Sequence, residues 1–150
     1  MRRTLLRLAL LTTLAPAAHA MPVLQALQGT DIPAQCGCRF GVKPGETLLF
    51  WSWEADKAFA WLREREAGVQ RLRLYSEKYF PAQHEPPRAG DRMTLQFSQG
   101  NWSVQTANEV SRACAPRASR CAGTDFRSRI VLQWAGRERR ELTGWARCGC

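Results

Sequence analysis

Six cysteines hold the only side-chain chemistry this sequence repeats, and four of them fall in two copies of one tripeptide, Cys36-Gly37-Cys38 and Cys148-Gly149-Cys150. The other two, Cys114 and Cys121, enclose only residues 115–120 and pair most naturally with each other. An even count of cysteines in an oxidising compartment reads as a disulfide framework. Residues two apart in a strand point to the same side. Antiparallel neighbours would therefore join Cys36 to Cys150 and Cys38 to Cys148, whereas parallel neighbours would join Cys36 to Cys148 and Cys38 to Cys150. A bridge inside one tripeptide would close a very tight ring and strain the bond.

Two other chemistries compete for the same four residues. Thiolates of Cys36, Cys38, Cys148 and Cys150 suit zinc or copper(I), and a disulfide within the last tripeptide could exchange with other thiols. Conventional zinc pairs are spaced CxxC, and neither tripeptide is followed by the helix start of a thioredoxin-like centre. Structural bridges are the reading adopted, with no cofactor; metal binding or thiol exchange is the alternative.

The compartment supports that choice. Arg2, Arg3 and Arg7 precede a Leu/Ala/Thr-rich stretch that ends in Ala18-His19-Ala20, a small-x-small cleavage pattern. Residues 1–20 read as a secretory signal peptide and residues 21–150 as a single exported domain, periplasmic or secreted. No later apolar run approaches the roughly 20 residues that span a bilayer. Loss of Arg2, Arg3 and Arg7 leaves 19 basic against 13 acidic residues. The excess is confined to residues 111–150, where nine arginines face Asp125, Glu138 and Glu141. Such a segment attracts an anionic protein or envelope surface. Nucleic acid is not an expected partner for an exported chain.

Catalytic patterns are thin. His84 is the one histidine after the signal, set among prolines in Pro81 to Pro87. No nucleophile elbow accompanies it. Glu64 and Glu66 lie beside Arg63 and Arg65 as ordinary surface charge, and no GxxxxGK[ST] or GxGxxG phosphate loop occurs. The chain leans away from an enzyme, and no catalytic residue is assigned. Six tryptophans are a stronger signal. Most fall in segments that build a core, but Trp61 lies off the apolar stripe of its segment and is the expected exposed contact. Arg137, Arg139 and Arg140 are the expected basic contacts.

These residues need elements to hold them. Thr47 to Trp53 reads as a central strand, apolar on both faces. Glu54 to Ala67 reads as a helix, because Ala55, Ala58, Phe59 and Leu62 fall at i, i+3, i+4 and i+7 and Gly68 offers a stop. Val69 to Tyr75 reads as a half-wet strand and residues 80–90 as a loop. Arg92 to Ala107 reads as a hairpin with Met93, Leu95, Phe97, Trp102 and Val104 on one face. A second hairpin spans Arg127 to Trp145, turning near Ala135-Gly136-Arg137, with a return strand charged on both faces as suits an exposed edge. The expected fold is α+β: a small antiparallel sheet of five to six strands, with two hairpins, packed against one helix and stapled by disulfides. The expected function is an exported, non-enzymatic binding module, of the inhibitor or envelope-accessory kind.

Overall fold

Strand alternation, not helical periodicity, governs almost the whole chain. The computed structural model describes residues 20–80, 87–114 and 123–150. The expected signal peptide through residue 19, His84 and Cys121 lie outside the described residues. Nine strands occur among the described residues: β1 (Leu24–Gln25), β2 (Gly37–Gly41), β3 (Leu49–Glu54), β4 (Lys57–Glu64), β5 (Gly68–Phe80), β6 (Arg92–Gln99), β7 (Trp102–Arg112), β8 (Thr124–Trp134) and β9 (Glu138–Gly149). The strands from β2 to β9 each pair antiparallel with the next, and β9 pairs back onto β2. They form a closed eight-stranded up-and-down barrel. β1 is an extra strand that pairs with the end of β4, past the point where β3 begins.

The α+β expectation is corrected by residues 54–67. Glu54 pairs with Lys57 across a two-residue turn in which Ala55 takes a positive φ of 55°, and β4 then runs to Glu64. Ala58, Ala60, Leu62 and Glu64 point into the barrel, and Phe59, Trp61 and Arg63 point out. The helical stripe was a coincidence of Ala58, Phe59 and Leu62, because β4 is covered on both faces and its apolar residues fall on both parities. The only helical turn among the described residues is a short 3-10 segment, Gly29–Asp31.

Other expectations hold. β3 lies between β2 and β4, with Leu49 and Trp51 inward and Phe50 outward but fully buried. In the hairpin of β6 and β7, Gln99 faces Trp102 across Gly100-Asn101, and Met93, Leu95, Phe97, Trp102 and Val104 are all buried. β8 and β9 form the second hairpin, with Ile130 and Leu132 inward.

An eight-stranded barrel has an interior just wide enough to be filled by side chains or to hold one small ligand. Here Phe40, Leu49, Ile130, Leu132 and Leu142, with Leu24 and Leu48, surround a void of about 10 Å³. That is at the limit of what a single water needs. The β4-to-β5 end is plugged by Trp102, whose indole N–H donates to Glu64 Oε1 at 2.7 Å and whose ring meets Trp134 edge-on at 4.9 Å. Farther along, a small polar cluster of Thr106, Asn108 and Ser128 interrupts the apolar interior. Ser128 Oγ donates to Asn108 Oδ1 at 2.8 Å, and Asn108 Nδ2 donates to Thr106 Oγ1 at 2.9 Å, so these buried groups satisfy one another.

Outside, the segment before β2 folds over β3 and β4. Leu27, Ile32 and Ala34 cover Phe50, Phe59 and Trp61. Arg63 ties the segment down through Asp31 at 2.7 Å, and Leu27 N–H donates to the Thr47 carbonyl at 2.7 Å.

Candidate functional site

The two CGC tripeptides meet where the barrel closes. Cys38 faces Cys148 in the β2–β9 register, and the bridges are Cys36–Cys150 and Cys38–Cys148. This is the pairing expected of antiparallel neighbours. Each other seam of the barrel joins strands that are consecutive in the chain, whereas β2 and β9 are its first and last strands. They share only five register pairs, against eleven between β8 and β9. The bridges staple the seam that chain connectivity leaves open.

Cys38 is buried inside the wall, and Cys36 and Cys150 are exposed at the rim. Gly37 between the cysteines faces outward, where a Cβ would sit 2.5 Å from the Phe50 ring and 2.6 Å from the Trp51 carbonyl oxygen. Steric exclusion therefore fixes the middle residue of the first tripeptide. Cys114 is also disulfide-bonded. All four CGC sulfurs are engaged in S–S bonds, which leaves no thiolate there for zinc or copper. Disulfides of this kind form and persist in oxidising, extracytoplasmic surroundings.

Trp61, the expected exposed contact, is only 5% exposed. It points outward from β4 but lies under Leu27 and its neighbours, stacked near Phe50 at 5.6 Å, with the Arg71 guanidinium 5.7 Å from its ring. The apolar spacing of residues 54–67 suggests a helix, and nothing local to Trp61 signals the covering segment. The exposed tryptophans are Trp53, at 46%, and Trp145, at 36%. Arg137, Arg139 and Arg140 are exposed at the β8–β9 hairpin, with Arg139 3.9 Å from Glu141.

A different set of arginines shares a concave surface. An open groove of about 590 Å³ lies on the outer face of β6 to β9. Its floor is a cross-strand row of mostly short side chains, Thr94 opposite Ala107, with Arg129 next and Thr143 beyond. The adjacent row sets Arg92, Glu109 and Arg127 side by side and continues into Trp145. Arg127 and Arg129 are two apart on β8, so they stand about 7 Å apart on one face. Short residues in one row and long ones in the next produce the depression.

The ion pairing around the groove is loose. Arg127 lies 3.2 Å from Glu109 with 78% of its side chain exposed, and Arg129 lies 3.5 Å from Glu141 with 58% exposed. Exposed pairs of this type contribute about 0–1 kcal/mol, so both guanidinium groups can be recruited by a ligand at little cost. Arg92 sits over the exposed Phe80 ring at 5.0 Å.

Asp125 is held differently. It accepts from Arg147 Nε at 2.6 Å and Arg112 Nε at 2.7 Å, tying β7, β8 and β9 together. The Arg147 hydrogen bond, with that of Arg112, lowers the Asp125 pKa below the usual carboxylate range. A group depressed in the folded state contributes stability above its unfolded pKa of about 3.9, and that contribution is lost as pH falls through the folded value. Stability should thus decline below about pH 4, and the decline should be shallower in Asp125→Asn. Urea titrations of both proteins between pH 2 and 6 measure this; identical pH profiles would refute it.

No helix among the described residues is long and apolar enough to cross a membrane. The outward positions along the barrel include Arg71, Arg73, Gln105, Arg129 and Glu141, where a membrane-spanning barrel carries an apolar band. No protein-family model, curated protein or solved structure matches the chain.

Proposed function

We propose that this protein is an exported, non-catalytic binding module that captures an anionic partner on the outer face of β6 to β9. The groove rimmed by Arg92, Arg127 and Arg129 carries the reading. Three guanidinium groups against two carboxylates, Glu109 and Glu141, leave the groove a net positive charge, and Trp145 adds a large half-open aromatic surface beside Arg127. The stapled barrel supplies a rigid platform, so little conformational entropy is lost on binding. The void among Phe40, Leu49, Ile130, Leu132 and Leu142, only about 10 Å³, favours an outer surface over an internal ligand there. Export to the periplasm or beyond belongs to the same proposal, on the strength of the leader sequence and the bridges.

Arg127→Gln/Arg129→Gln should weaken binding to a soluble polyanion such as polygalacturonate or polyglutamate by about tenfold or more, equivalent to about 1.4 kcal/mol. The expected affinity also falls as ionic strength rises from about 50 to 300 mM, because exposed charges are screened. Isothermal titration with the bridged protein measures both. Unchanged affinity in this variant, with loss instead in Arg137→Gln/Arg139→Gln/Arg140→Gln, would move the site to the hairpin and overturn the groove reading.

A further inference from the structure

The groove's lining specifies its ligand more closely than charge alone does, and on the reading just given we infer that it takes an acidic glycan, a sugar chain bearing carboxylate or phosphate groups. The floor is built of hydroxyl groups from Thr94 and Thr143 and the methyl of Ala107, and Gln96 and Gln105 occupy the next row along β6 and β7. Such a surface offers donors and acceptors to sugar hydroxyls. A peptide that bound by strand addition would need a free edge. β6, β7 and β8 are paired on both sides at the groove, whereas β9, whose pairing with β2 is confined to residues 145–149, leaves an edge beside Thr143 that polyglutamate would probe.

The charged groups have matching geometry. Arg127 and Arg129 are about 7 Å apart along β8, and Arg92 stands two strands from Arg127, about 10 Å away. Guanidinium forks hold carboxylate and phosphate by paired, nearly parallel hydrogen bonds. Separations of this order suit acidic groups carried on successive or alternate sugar rings. Trp145, directly across from Arg127 in the β8–β9 register, is placed to stack on the face of a neighbouring ring. Glu109, 3.2 Å from Arg127, must give up that guanidinium when the ligand arrives, so the glycan competes with an exposed pair and not with a buried one.

The test titrates the full bridged protein with four probes of similar length: oligogalacturonate, a phosphorylated core oligosaccharide, polyglutamate and neutral dextran. At least one acidic glycan should bind about tenfold or more tightly than polyglutamate, with dextran weakest. The preferred acidic arm identifies carboxylate or phosphate as the recognised group. Trp145→Ala should weaken that glycan by about tenfold, the scale of one lost ring-stacking contact, and should weaken polyglutamate, which carries no ring to stack, by a smaller factor. Trp145→Phe retains a ring and should keep most of the affinity, which separates stacking from any disturbance of folding; thermal melting checks both variants. Polyglutamate binding equal to or tighter than both glycans, yet lost in Arg127→Gln/Arg129→Gln, would reject the glycan and leave the anionic groove standing. If no probe's affinity responds to the groove arginines, the inference and the reading beneath it both fail.

Discussion

Removing both CGC bridges, as in a variant with Ser at positions 36, 38, 148 and 150, should destabilise the protein by about 4 to 5 kcal/mol, enough to unfold a marginal domain. The figure follows from the loops the bridges close, which span 114 and 110 residues. The effect should be far from additive. Either bridge alone already ties β2 to β9, so losing the second releases little further loop entropy. Cys36→Ser/Cys150→Ser should cost about 1 kcal/mol or less, since the retained bridge restrains nearly the same loop. Cys38→Ser/Cys148→Ser should cost about 1 to 2 kcal/mol more, because Cys38 is 1% exposed and a hydroxyl would replace its sulfur in the core. Urea unfolding of the four proteins under oxidising conditions measures the cycle. If the two single-bridge losses sum to the double loss, the shared-seam account is wrong. Graded reduction gives a second view: the exposed Cys36–Cys150 bond should open first, followed by mass spectrometry of trapped thiols.

Gly37→Ala is expected to cost about 2 to 3 kcal/mol, although it adds one methyl group to a barrel strand. The added carbon would lie 2.5 Å from the Phe50 ring and 2.6 Å from the Trp51 carbonyl. The ring can yield; the backbone oxygen, part of the β2–β3 pairing, cannot move without disturbing the ladder. Shortening Phe50 in the double variant Gly37→Ala/Phe50→Leu should therefore recover only part of the loss, measured relative to Phe50→Leu alone. Complete recovery would show that the ring was the whole obstacle. A Gly37→Ala protein as stable as the wild type would remove the steric explanation of the CGC spacing altogether.

What the sequence made legible depended on how local the signal was. Parity within a tripeptide is a two-residue property, so the bridging scheme of the CGC motifs could be narrowed to two alternatives before any strand was placed. The β6–β7 hairpin was equally readable, since Met93 through Val104 alternate cleanly about Gly100-Asn101. Residues 54–67 misled because both faces of β4 are covered, by the core inside and by Leu27, Ile32 and Ala34 outside. Alternation of polar and apolar residues vanished, and the alanines left a spurious helical stripe. The same covering segment hid Trp61. The groove was illegible for a different reason: Arg92 lies far along the chain from Arg127 and Arg129, and only the β6–β7–β8 register places them around one depression. A positional hint did exist, since Arg127 and Arg129 flank the inward-facing Ser128 and so had to share the outer face.

Burial of Cys38 also sets an order of events. A catalyst of disulfide formation must touch the sulfur it oxidises, and in the closed barrel Cys38 is sealed within the wall while Cys36 and Cys150 remain at the rim. In the closed barrel such a catalyst reaches the inner pair only through the partly buried Cys148, and the outer pair through either sulfur. A chain that closes before it meets its oxidant would gain the rim bridge first and the inner bridge more slowly, so the history of its maturation is written in the oxidation state of the inner pair.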